Sequence, residues 1–150
     1  MREIHTEIDI SAAAEQVWDV LTDFETYARW NPFIVEASGT AEAGGHLRLR
    51  MQPPGGKERS FNPILTKVME NQELRWQGFM YFGGLFDGEH IFTIEEREPG
   101  RVHFVQRELF NGLLVPFFWG SVSKSTKAGF EAMNKALKER VEKAGIVEQD

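Results

Sequence analysis

His90 and Glu108 are the two side chains in this sequence whose types and spacing fit acid–base chemistry. Both lie on the last two strand-like runs, which flank Glu98-Pro99-Gly100. Taking that tripeptide as the centre of an odd-length hairpin places Ile94 opposite Phe104, Phe92 opposite Gln106, and His90 opposite Glu108. A two-residue type I′ turn is ruled out, because Pro99 cannot take a positive φ. The apolar members of the row, Phe92, Ile94, Val102, Phe104 and Phe110, turn it inward and carry His90, Gln106 and Glu108 with them, with Trp76 beside. A His–carboxylate pair facing an apolar pocket can polarise a carbonyl or move a proton. The same residues can equally satisfy one another and water at a polar corner, since structural pairs also perturb pKa values.

Other chemistries find little support. His5, His46, His90 and His103 are scattered, there is no cysteine and no His-Glu-x-x-His, so no metal site is predicted. No glycine-rich phosphate cradle follows a strand and opens a helix, and no Gly-x-Ser-x-Gly elbow is present. No cofactor is expected. A net charge of −6 argues against a nucleic-acid partner, which calls for a basic patch. The N-terminal run lacks a signal-peptide core, and no stretch approaches the roughly 20 apolar residues of a membrane span. The expected compartment is the cytoplasm. Nothing in the sequence selects an oligomeric state.

The elements that must position these residues follow from periodicity. Glu3–Ile10 alternates as a half-exposed strand. Ser11 is set to cap a first short helix containing Val17, Trp18 and Leu21, and a second, Phe24–Arg29, stops before Pro32. Turn chemistry then separates six strands near Ile34–Ala41, Gly45–Gln52, Glu58–Met69, Glu73–Phe79, Phe86–Glu96 and Arg101–Leu109. A long helix follows, with Asn111 as N-cap, Leu113–Lys143 as its body and Gly145 past its end. Its apolar stripe runs Val115, Trp119, Val122, Thr126, Gly129/Phe130, Met133, Leu137, Val141, with Gly120, Ser123, Thr126 and Gly129 as small residues that leave room for a backbone or a cavity.

This order predicts an α+β domain over residues 1–145 with a frayed tail at 146–150: a seven-stranded antiparallel sheet curled around the long C-terminal helix, with two short helices after the first strand. The element order, Tyr27–Phe33, Leu74-Arg75-Trp76-Gln77-Gly78, Gly88–Phe92, Glu108–Leu113 and Gly129–Lys138 together resemble the START/Bet v 1-like (SRPBCC) superfamily in its polyketide cyclase/dehydrase-like branch. The resemblance spans nearly the whole chain. It implies the helix-grip fold, a sheet gripping the last helix around an apolar cavity. Lipid carriers, hormone receptors and aromatic polyketide cyclases share that fold, so it implies no universal catalytic residue.

Two functions are therefore expected. The first is binding of a small hydrophobic or amphipathic molecule (a lipid, polyketide or aromatic compound) between sheet and helix, against Trp76, Phe92, Phe104, Gln106, Gly129, Phe130 and Met133. The second is a cyclase or dehydratase using His90 and Glu108 as acid and base. The loop Phe79–Phe86 places Met80, Tyr81, Phe82 and Leu85 around Gly83-Gly84, which suits a lid or entrance, a contact patch, or a hairpin end folded into the core.

Overall fold

The computed structural model of the chain describes residues 1–80 and 83–149. Strand β1 (Arg2–Ile10) leads into α1 (Ala14–Thr22), then a 3-10 turn (Phe24–Thr26) that runs into α2 (Tyr27–Trp30). Strands β2 (Ile34–Ser38), β3 (Arg48–Met51), β4 (Arg59–Phe61), β5 (Ile64–Met69), β6 (Glu73–Met80), β7 (Phe86–Glu98) and β8 (Arg101–Asn111) precede α3 (Val115–Gln149). Every strand pair is antiparallel. Among the described residues, no helix is long and apolar enough to cross a membrane.

The single seven-stranded sheet expected from the sequence is instead two sheets, of order β1-β8-β7-β6-β5 and β2-β3-β4. The run Glu58–Met69 breaks at Asn62-Pro63, because proline has no N–H for a ladder and a fixed φ. The break does not part the sheets. Leu47 N–H donates to Pro63 O at 2.9 Å, Leu65 N–H to Gly45 O at 2.8 Å, and His46 bridges to Ile64. These bonds join the segment leading into β3 to the start of β5, so the small sheet continues from the edge of the large one.

The β7–β8 hairpin has the expected register, with Ile94 opposite Phe104, Phe92 opposite Gln106 and His90 opposite Glu108. Its connection is not the odd-length loop expected but a two-residue Pro99-Gly100 turn between paired Glu98 and Arg101, Gly100 taking the positive φ of 78° that proline refuses. Arg97 bulges between Glu96 and Glu98, and that extra residue keeps the register.

Helix ends differ from the sequence reading. Asn111 does not cap α3; it closes β8 opposite Asp87. Gly112 turns the chain at φ 135°, where a Cβ would meet Leu85 O at 2.2 Å, and the helix opens at Val115 rather than Leu113. Leu113 N–H and Leu114 N–H donate to Gly84 O and Leu85 O at 3.1 and 2.9 Å, which ties the helix start to β7. Nor does Ser11 cap α1. Ala13 holds that position, and Gln16 Oε1 reaches back to Ala13 N–H at 2.9 Å. The Ser11 N–H instead binds Glu142 on α3 at 2.9 Å. At its far end α3 passes through Gly145, since one glycine costs a helix about 1 kcal/mol without removing its N–H. Asp150 lies outside the described residues.

Phe130, Met133, Leu137 and Val141 of α3 join Ile4, Ile10, Phe92, Ile94 and Phe104 of the large sheet in one buried cluster, closed by Val17, Trp18 and Leu21 of α1. The two helical glycines on α3 separate here. A Cβ on Gly129 would sit 2.3 Å from Cδ1 of Phe33, whose ring packs edge-on against Phe130 at 5.6 Å. Gly120 is exposed, off the inner stripe on which the sequence placed it, with nothing within 4 Å of a Cβ. Gly129→Leu should therefore cost roughly 1–3 kcal/mol by overpacking. Gly120→Ala should gain roughly 0.5–1 kcal/mol of helix propensity. Urea unfolding of the two variants checks both signs, and a neutral Gly129→Leu would put the helix face in the wrong place.

Candidate functional site

Five polar side chains are buried among the described residues: Thr6, Asn31, His90, Gln106 and Asn134. Asn31 is spent locally, its Oδ1 accepting from Phe33 N–H and Ile34 N–H at 2.9 Å each as the chain leaves α2. The other four form one chain across β1, α3, β8 and β7. Thr6 Oγ1 donates to Gln106 O at 2.7 Å, Asn134 Nδ2 to Thr6 Oγ1 at 2.9 Å, and Gln106 Nε2 to Asn134 Oδ1 at 2.7 Å. Gln106 Oε1 then lies 2.9 Å from His90 Nε2.

The direction of this chain is dictated by its first link. A carbonyl only accepts, so the Thr6 hydroxyl spends its one proton on Gln106 O and must accept from Asn134. That turns the Asn134 oxygen toward Gln106, the Gln106 amide nitrogen toward Asn134, and the Gln106 oxygen toward His90. His90 Nε2 therefore carries the proton, and Nδ1 presents a bare lone pair. Nδ1 has no hydrogen-bond partner, and Glu108 Oε1 lies 3.8 Å away. The ring is held by Phe92, stacked at 4.5 Å, and by Trp76 and Phe130 at 4.9 and 4.8 Å.

Burial pushes the His90 pKa down to about 3, against a smaller upward pull from Gln106, so the ring is neutral. Burial likewise raises Glu108 to about 8, which keeps its proton on at neutral pH. Glu108 is nonetheless 18% exposed, because its carboxyl faces a cavity. The carboxyl lies over Gly88, where a Cβ would stand 2.3 Å from Oε2.

The cavity holds about 400 Å³. Trp76, Gly78, Gly88 and Glu108 form its floor on the large sheet, and Leu114 just before α3 with Phe118, Val122, Ser125 and Thr126 on α3 its roof. Phe33, Leu49, Met51 and Phe61 close one side. Phe79 and Phe118, 50% and 49% exposed, stand at the rim near the exposed Lys57 and Arg59.

Of the residues expected to line it, Trp76 and Glu108 do. Phe92, Phe104, Gln106, Phe130 and Met133 are wholly buried in the packed core instead, His90 lies directly behind Glu108, and Gly129 is packed on Phe33. The cavity is displaced toward the first half of α3, where the helix carries Ser121, Ser125 and Thr126 rather than Phe130, Met133 and Leu137. Leu85 is half-buried, and its carbonyl accepts from Leu114 N–H just before α3. The Met80 side chain, Tyr81 and Phe82 lie outside the described residues. Gly78 and Gly88 stand in the motifs that carry the family resemblance, but the sequence alone assigns them no part in the cavity. They face each other across β6 and β7, and two glycines at paired inward positions signal missing volume.

The family model described as polyketide cyclase / dehydrase and lipid transport matches residues 1–142, and the chain belongs to that family. No curated protein matches the sequence. Among solved structures, the chain is similar to a START superfamily protein from Mycobacterium smegmatis at 25% identity and a TM-score of 0.74, covering 95% of this chain and 98% of that one. It is also similar to a Thalictrum norcoclaurine synthase point mutant, solved with a transition-state analogue, at 14% identity and a TM-score of 0.74 over 96% of both chains. The Zhui aromatase/cyclase from Streptomyces aligns at 14% identity and a TM-score of 0.68, covering 93% of this chain and 95% of that one.

The opposed shifts of His90 and Glu108 predict a stability profile. From pH 6.5 to 8 the folded protein keeps a Glu108 proton that the unfolded chain has lost, so stability falls as pH rises, by roughly 1.4 kcal/mol per unit. From pH 4.5 down to 3 the unfolded chain binds a His90 proton that the folded protein refuses, so stability falls as pH drops. Between 4.5 and 6.5 the two offset. Urea midpoints across pH should show that plateau, and Glu108→Gln should lose the alkaline limb. An equal alkaline slope in both proteins would mean that Glu108 is ionised when folded.

Proposed function

We propose that the protein binds one small apolar or amphipathic molecule, of lipid, polyketide or aromatic type, between the sheet and the first half of α3. The observation that carries this reading is the cavity of about 400 Å³, walled by apolar side chains around one buried carboxyl. Such a volume suits a ligand of drug-like size. The family supports it too, since its description includes lipid transport. The expected contacts are Trp76, Phe33, Met51, Phe110 and Val122, with Phe79 and Phe118 at the rim. Phe92, Phe104 and Phe130 support this wall from behind.

A second reading, a cyclase or dehydratase, is favoured by the protonated Glu108 at the cavity wall beside a neutral His90. There Glu108 would serve as the acid, donating to a bound carbonyl oxygen, and not as the base. The aromatase/cyclase name of one structural neighbour accords with it, at the level of fold.

An apolar fluorescent dye should bind the folded protein at one equivalent, and Ser125→Trp, which fills the roof, should abolish that binding while leaving the circular dichroism spectrum intact. Dye binding only on heat unfolding would refute the carrier reading. Incubation with aromatic and polyketide-like ketones separates the two readings: the carrier returns them unchanged, whereas the enzyme yields a product that Glu108→Gln does not.

A further inference from the structure

We infer that the ligand carries a hydroxyl or phenol group, received by Glu108 Oε2, and that His90 is the positioning residue that makes Glu108 an acceptor. The inference rests on the cavity reading and goes beyond it by assigning the polar chemistry of the guest.

The argument starts from two unmet groups that face each other. His90 Nδ1 is buried, bare and without a partner. A buried carboxylic acid has one O–H to place, and leaving such a donor unmade costs more than the bond itself returns. Glu108 Oε1 is 3.8 Å from that nitrogen, so a small side-chain rotation brings the two into a hydrogen bond. The tautomer cannot adjust to another arrangement. Thr6, Asn134 and Gln106 hold the proton on Nε2, and the sequence of donors ends at a main-chain carbonyl that has no alternative role.

With Oε1 donating to His90, the remaining oxygen is a carbonyl acceptor. Oε2 lies over Gly88 in the space a Cβ would fill, and both residues line the floor of the cavity. A guest that brings a donor completes the site. A ketone or an ether oxygen meets another acceptor there. The other titratable side chains on the cavity wall, Lys57 and Arg59, are exposed donors, and the roof hydroxyls of Ser121 and Ser125 spend their protons on carbonyls of their own helix, so Glu108 is the one carboxyl on the wall that selects a donor.

Calorimetric titration at near-neutral pH with naphthalene, 2-naphthol, 2-methoxynaphthalene and 2-acetylnaphthalene tests this. The naphthol should bind the wild-type protein about tenfold more tightly than its methyl ether, the 1.4 kcal/mol worth of one hydrogen bond in a dry site. Glu108→Gln should preserve that preference, because the bare Nδ1 draws the amide NH2 and leaves the amide oxygen toward the cavity. Glu108→Leu should erase it while naphthalene still binds. Gln106→Leu, which frees the His90 tautomer, should weaken the preference without touching the cavity wall.

Naphthalene binding with equal affinities for naphthol and ether, or a preference for the ketone, overturns the inference and leaves the cavity reading standing. Failure of all four compounds to bind overturns both. Should Glu108→Leu not fold, the wild-type and Glu108→Gln selectivities still decide.

Discussion

The placement of α3 on the sheet depends on one buried hydrogen-bonded chain. Asn134 is the helix's polar anchor in the core, and it bonds to Thr6 on β1 and Gln106 on β8 at 2.9 and 2.7 Å. In a medium where each unmet polar group costs roughly 1–3 kcal/mol, sliding the helix by one turn would strand several groups at once. The apolar stripe alone does not hold that register, because Phe130, Met133 and Leu137 recur at spacings that a shifted helix would nearly reproduce. Hydrophobic burial holds the helix down, and the polar chain determines where.

That placement divides the interior. Beyond Gly129 the helix presents large side chains to β1, β7, β8 and α1, and the space fills. Before it, Ser121, Ser125 and Thr126 stand above Gly78 and Gly88, and the space stays open. Glu108 sits at the border between the two. Its carboxyl reaches from the edge of the packed region into the cavity, so it feels the low dielectric of the core while facing a prospective guest. Neither position alone would produce a neutral acid in contact with a ligand.

Much of this was legible in the residues. Alternation, the turn residues Glu98-Pro99-Gly100 and the inward row from Phe92 to Phe110 set the hairpin and hence the pairing of His90 with Glu108, although the loop is shorter than expected and a bulge at Arg97 makes up the difference. The helix stripe and the antiparallel wrap were equally readable, because both follow from local period. The site of the cavity was not. Aromatic residues on the inner faces suggested a lined pocket, but Phe92 stacks on Phe104 and Phe130 packs against Phe33 and His90, and the cavity lies where volume is missing. Reading it required knowing that Gly78 and Gly88 are paired across two strands. Likewise the division into two sheets at Pro63, and the strand end at Asn111 where a cap was expected, depend on tertiary hydrogen bonds that no local pattern encodes.

The central claim is that His90 is a neutral imidazole with its proton on Nε2 and its Nδ1 lone pair turned to a protonated Glu108. Long-range proton–nitrogen NMR on protein labelled with nitrogen-15 at histidine reads that state directly. The expected result is a His90 Nε2–H tautomer whose shifts stay constant through the ordinary imidazole range around pH 6.5. A proton on Nδ1, or a His90 that protonates within that range, would contradict it.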